Sequence, residues 1–151
     1  MNVFDEFSEV VAHLEEQNIR YALVGGVAVA FYAEPRFTQD IDFLLDPNNL
    51  EAVRLVLAQS GYFESAKPWT FQGTALTLQR FIKVIDNDHM IVDILIAGDE
   101  PLLEIIRNAI EARSEYGVAH VARKVDIIWL KKQRNSLQDQ ADIERLNNEH
   151  D

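Results

Sequence analysis

The sequence predicts an α+β domain in which a mixed β-sheet is flanked by helices. Two observations carry this. Stretches of helical period and strand period alternate along the 151 residues without the regular strand–helix repeat of a doubly wound sheet. The middle of the chain holds two consecutive strand-type runs around a polar turn. The composition agrees: 48% hydrophobic, 26% charged, six Gly and four Pro. That is a globular chain with enough length to bury a core. It is expected to form one domain over residues 1–151, with C-terminal helices at about 124–148 packing on it.

Taken in order, Phe4, Phe7, Val10, Val11 and Leu14 recur at helical spacing with acids between them, so the first helix runs to about Asn18. Tyr21 to Val24 is a short buried strand, broken by Gly25-Gly26. Val27 to Tyr32 follows as a short helix stopped by Pro35, and Gln39 to Leu45 as a second strand. Asp46-Pro47-Asn48 starts a helix over Leu50 to Gln59 that Gly61 closes. Ala75 to Val84 and Met90 to Ala97 are strands around a turn at Asp86-Asn87-Asp88-His89. Glu100 to Arg113 is expected to be helical, with Pro101 at a tolerated early position. A short strand at Val118 to Val121, a helix capped by Asp126 through Lys132, and a last helix over Gln138 to Asn147 complete the chain.

Charge and composition exclude several roles. No Cys is present, so disulfides and thiol chemistry are out. The net charge of −11 repels phosphodiester backbones and anionic membranes, which argues against broad polyanion binding. The N-terminal residues carry acids instead of a signal-like basic region, and no apolar run nears the ~20 residues of a membrane span. A cytoplasmic protein without membrane contact is expected.

Three places could carry chemistry. Gly25-Gly26 sits between an apolar strand and a helix, where a ligand can approach the main chain and helix N–H groups suit a phosphate. A tight turn without ligand is the plainer explanation of the pair taken alone. Asp40 and Asp42 stand at i and i+2 of a strand, so both carboxylates project to one face. Two like charges this close repel unless a cation lies between them, and hard oxygens favour Mg²⁺ or Mn²⁺. A solvated strand end is the alternative. Asp93 lies inside the apolar run Met90 to Ile96, where an ionised carboxylate is costly to bury unless it is paired or bound to metal. A salt bridge to Arg80 or Lys83 on the neighbouring strand is the structural alternative.

The stretch Leu23-Val24-Gly25-Gly26, followed by Arg36-Phe37-Thr38-Gln39-Asp40-Ile41-Asp42-Phe43, resembles the DNA polymerase β-like nucleotidyltransferase superfamily. Its Arg-x-Thr-x-Asp-Ile-Asp form is most similar to the minimal nucleotidyltransferases that include AbiEii-type toxins. Asp126 to Lys131 and Gln138 to Ile143 are similar to that group's lysine-bearing helix and acid-rich last helix. Many relatives carry a basic residue just before the last Asp pair; here Ser136 and Gln138 stand there, and Arg134 is the candidate substitute.

The resemblance implies a polymerase β-like fold and transfer of a nucleoside monophosphate from a nucleoside triphosphate such as ATP to a hydroxyl. Asp40, Asp42 and Asp93 would be the metal ligands for two Mg²⁺ (or Mn²⁺) ions, with Asp93 also the general base. Gly25 and Gly26 would hold phosphate oxygens through their N–H groups, Thr38 would add a hydroxyl, and Lys131 would neutralise the triphosphate. Arg36 could touch a phosphate or cover the strand edge. The acceptor would be tRNA, a protein or a small molecule such as an antibiotic, and a toxin of this kind would have an antitoxin protein as partner. A non-catalytic nucleotide-binding member of the fold, acting in a complex, is the alternative. A two-metal phosphodiester hydrolase is a third reading, disfavoured by the Gly-Gly turn.

The remaining candidates have plainer explanations beside them. Lys131 lies beside Trp129 and Leu130, where a solvated lysine is ordinary. Arg123, Lys124, Lys131, Lys132 and Arg134 form the one dense basic stretch, suited to an RNA acceptor or simply balancing the acids. Asp139, Asp142 and Glu144 are expected on a solvated helix face, with a pair from Asp139 to the Lys131 helix as second choice. The four His show no metal-ligand spacing. Trp69 and Phe71 could stack a base over the site or anchor a long β connection.

Overall fold

The computed structural model describes residues 1–33, 40–114, 117–134 and 137–148, except for the side chains of 134, 137 and 138. The elements are α1 (Val3–Glu16), β1 (Tyr21–Val24), α2 (Gly25–Val29), β2 (Asp40–Leu45), α3 (Leu50–Gln59), β3 (Phe63–Glu64), β4 (Trp69–Thr70), β5 (Leu76–Ile85), β6 (Asp88–Ala97), α4 (Glu100–Arg107), β7 (Ile110–Ser114), β8 (Gly117–Val121), α5 (Lys124–Arg134) and α6 (Leu137–Asn148). A short 3₁₀ turn, Pro47–Asn49, leads into α3. The fold class is the predicted one, a mixed α+β structure.

The eight described strands form one sheet in the order β3-β5-β6-β2-β1-β8-β7, with β4 also pairing β5. Only two contacts are parallel, β2 with β6 and β1 with β8. The central strands carry the apolar runs seen in the sequence. Ile41, Phe43, Leu44 and Leu45 of β2 are fully buried, as is Val92 of β6. Tyr21 meets Phe43 edge-on, ring centroids 5.4 Å apart and planes at 89°, a favoured aromatic geometry. The α1 stripe Phe7, Val10, Val11 and Leu14 is buried as its period requires. α1 packs on α3, β2 and β8; α4 packs on β1, β2 and β6; α5 and α6 pack on each other and on α2.

Four elements depart from expectation. Helix α4 stops at Arg107 instead of Arg113, because Ile110–Ser114 pairs antiparallel with β8. Ala, Glu and Arg there are good helix formers, and sheet pairing overrides that weak preference. The β5–β6 turn contains only Asp86 and Asn87; Asp88 and His89 already belong to β6. Asp86 takes φ 56°, a left-handed conformation that Asp tolerates. Helix α2 begins at Gly25, two residues early, and ends at Val29. Helix α5 begins at Lys124, so Asp126 lies in its first turn and pairs with Arg123 at 2.9 Å rather than capping it. No helix among the described residues is long and apolar enough to cross a membrane.

This core sets a stability expectation. Phe43→Ala, at a fully buried ring, should cost about 3–5 kcal/mol in urea denaturation. Leu55→Ala, at a side chain 67% exposed, should stay within about 0.5 kcal/mol of the parent.

Candidate functional site

The site grows from strand register. Val24 is opposite Asp42 across β1 and β2, Asp42 is opposite Asp93 across β2 and β6, and Asp93 is opposite Arg80 across β6 and β5. Register neighbours point to the same face of a sheet. Arg80, Asp93 and Asp42 therefore stand in one row, with Asp40 two residues along β2 on that face. Asp42 is 7% exposed and Asp93 2%.

Gly25 shapes the row. It has φ +74°, a conformation side chains rarely adopt, and a Cβ built on it would lie 2.0 Å from Asp42 Oδ2. The Asp42 carboxylate thus rests against backbone that only glycine leaves open. The first turn of α2 starts here, and its N-cap, Val24, makes no side-chain capping bond.

Asp93 has the pairing weighed from sequence. Arg80 Nε donates to its Oδ1 at 2.8 Å and Nη2 to its Oδ2 at 3.0 Å. The hydrogen bonds that Arg80 donates to Asp93 outweigh desolvation and, with the charges of Asp93, Asp40 and Asp42, raise the Arg80 pKa. The other candidate partner, Lys83, pairs with Glu6 at 2.9 Å. Among the described residues no three acidic or histidine side chains converge into a ready cage for an ion. Asp40 and Asp42 still offer two hard carboxylates on one face, and the Gly25 cradle holds one of them, so this pair fits a divalent cation.

Lys131 is a correction to the solvated reading. It is 3% exposed and sits between Asp142 at 3.0 Å and Asp139 at 3.6 Å. Asp139 and Asp142 are 1% and 0% exposed, so neither lies on a solvated face; only Glu144 does. The pairing explains the burial, since charges leave water only when compensated. Lys131 also lines a narrow cleft with Val24, Gly25, Leu95 and Ile127, which brings its side chain beside the glycine turn. The pair from Asp139 to the Lys131 helix, the second choice from sequence, is present, and Asp142 joins it.

Two cations of the basic stretch are engaged. Arg123 is tied to Asp126 and Lys131 is buried, while the Arg134 side chain lies outside the described residues. Arg36 and Thr38, with the rest of 34–39, lie outside them too. Trp69 is 41% exposed, so it is no core anchor. It pairs through β4 with Leu78 of β5 and meets Phe71 edge-on at 6.4 Å. Two histidines pair with acids: His120 bonds Glu15 at 2.7 Å and His13 lies 3.5 Å from Glu16.

Lys131→Met should cost about 3–5 kcal/mol in urea unfolding, because it strands buried carboxylates. Lys131→Met with Asp142→Asn should recover part of that loss. A single-variant loss below about 1 kcal/mol would contradict the pairing.

No family model matches the chain, and no curated protein is detectably similar to it. Solved structures are similar in shape. The lincosamide antibiotic adenylyltransferase LnuA, solved with lincomycin bound, superposes with a TM-score of 0.62 at 15% identity over 95% of each chain. A candidate nucleotidyltransferase from Thermotoga maritima gives 0.62 at 12% identity over 94% of this chain and 90% of its own. The antibiotic-resistance factor ANT(2'')-Ia gives 0.63 at 15% identity over 95% and 80%. The strand order, the glycine turn and these superpositions together give one conclusion: the chain has the nucleotidyltransferase fold.

Proposed function

We propose that this protein is a nucleotidyltransferase that moves a nucleoside monophosphate from a nucleoside triphosphate to the hydroxyl of a small-molecule acceptor. The observation that carries the reading is the row in which Asp42 lies between the Gly25 turn and Asp93. A hydrolase would not require a glycine turn against its paired acids. The small-molecule class is supported by the neighbours: LnuA was solved with lincomycin, and ANT(2'')-Ia also with adenylyl-2''-tobramycin. RNA or protein acceptors, a toxin role and an antitoxin partner rest on the sequence resemblance alone.

In this reading Asp40 and Asp42 hold a divalent cation, Mg²⁺ or Mn²⁺, which supplies neutralisation of the triphosphate charge. The Gly25 and Gly26 N–H groups bind phosphate oxygens, with Arg36 and Thr38 as proposed additions. Lys131 stands on the glycine side, oriented by Asp139 and Asp142, and adds positive charge near the phosphates. Asp93, on the opposite side of Asp42, takes the proton of the acceptor hydroxyl. The new bond joins that oxygen to the α-phosphorus, the α–β bridging bond breaks, and pyrophosphate leaves.

One observation favours a second reading, nucleotide binding without transfer: both Asp93 oxygens are engaged by Arg80. Both readings require nucleotide to bind at Asp42. Saturating nucleoside triphosphate with Mg²⁺, at 100 times Kd, stabilises by about 2.7 kcal/mol. For a chain of this size that is a melting shift of about 5–10 °C. Asp42→Asn should abolish the metal-dependent part. An unshifted wild type under four separate triphosphates would remove both readings.

A further inference from the structure

The proposed chemistry uses one end of β1, where Val24 leads into Gly25. A second concave surface lies at the other end of that strand. It is a cleft of about 220 Å³ where the end of α1, the start of β1, the end of α4 and β8 meet. Tyr21, in its wall, and Val24 are about 10 Å apart along β1. Hydrogen bonds hold the polar wall in place. Tyr21 is 2% exposed; its hydroxyl donates to Glu15 Oε1 at 2.8 Å and accepts from the His120 N–H at 3.2 Å. His120 Nδ1 lies 2.7 Å from the same Glu15 oxygen, and its ring meets Tyr21 edge-on at 5.8 Å. Burial and the Glu15 carboxylate raise the Tyr21 pKa against the opposing His120 N–H, so the hydroxyl keeps its proton. This network joins α1 to β8 across β1, and the nucleotidyl-transfer reading makes no use of it.

Two guanidiniums complete the lining. Arg107 is anchored by Glu104, 3.1 Å from its Nε and 2.8 Å from its Nη2, and by Glu100; its Nη1 keeps two further donors. Arg20 is exposed and makes no ion pair among the described residues. The cleft thus gathers Arg20, Arg107 and the His120 imidazole against one carboxylate, Glu15, which already accepts two bonds. In a chain of net charge −11 that is a local excess of positive groups in a concave place. Guanidinium forks match the oxygens of carboxylates and phosphates. The volume is below the ~300 Å³ at which drug-sized pockets begin, so the ligand is small. We propose that this cleft binds a small oxyanion, the carboxylate or phosphate of a metabolite, on Arg20 and Arg107, with Tyr21, Glu15 and His120 as its fixed wall. The site is separate from the row at Asp42 and does not depend on the proposed function.

The test is a titration of the ¹⁵N-labelled full chain with sodium succinate and, separately, sodium phosphate, read by amide chemical shifts. It is run at about 0.15 M NaCl, where loose surface attraction is screened. Saturable shifts at Arg20, Tyr21 and His120 are expected with at least one of the salts. Succinate alone identifies a carboxylate ligand, phosphate alone a phosphate, and both the shared oxyanion. Arg20→Gln, at an exposed side chain where folding is not at risk, should weaken binding about tenfold, the loss of one charge-assisted hydrogen bond. Arg113→Gln, at a side chain 79% exposed and away from the cleft, should leave binding unchanged, and so should Asp42→Asn. No saturable shift at Tyr21 or His120 with either salt, or shifts that Arg20→Gln does not weaken, would overturn the site. Phosphate shifts confined to Gly25 and Gly26 would overturn it too, while supporting the proposed function.

Discussion

The Asp42 carboxylate lies against the bare backbone of Gly25, and the rest of the site depends on that contact. With φ +74° and no room for a Cβ, Gly25 fixes where β1 ends and α2 begins. It also lets β2 run close enough for Val24 to pair with Asp42. The parallel pairing of β2 with β6 then sets Asp93 beside Asp42. Placing carboxylates side by side in a nearly buried row is unfavourable in itself. The fold offsets it with Arg80 on one flank, while Lys131 on the other flank is balanced by acids of its own helix pair.

The two flanks divide the chemistry. The glycine side has the first turn of α2 and a lysine locked by Asp139 and Asp142. The Asp93 side has a carboxylate aimed by a fork and an aromatic wall at Trp69. The net charge of −11 leaves few cations to spare: among the described residues Arg80 and Lys131 are each paired with buried acids, and Arg123 with Asp126.

Much of this was legible in the sequence, because the signals were local. Tyr21–Val24, Leu50–Gln59 and the carboxylate pair Asp40/Asp42 followed from period and spacing, and the structure places them where expected. What the sequence left open depended on register or on distant partners. A four-residue turn would set Ile82 opposite Asp93; the observed two-residue turn sets Arg80 there. That slip of two residues keeps the face but changes the partner, so the Arg80 pair stood only as an alternative. Lys131 and Asp142 read as solvated because their burial is created by α5 meeting α6 and α2, which no window of sequence contains. Ile110–Arg113 read as helix because its strand character comes from pairing with Gly117–Val121, which local propensity does not show.

The central claim is that this row of residues transfers a nucleoside monophosphate. It is tested most directly by incubating the protein with Mg²⁺, hydroxyl-bearing small molecules extracted from cells, and a nucleoside triphosphate labelled at either the α or the γ phosphate. The account expects label from the α position, and none from the γ position, to appear on an acceptor, with loss of transfer in Asp93→Asn. Transfer from the γ position, or α-label transfer that persists in Asp93→Asn, would contradict it.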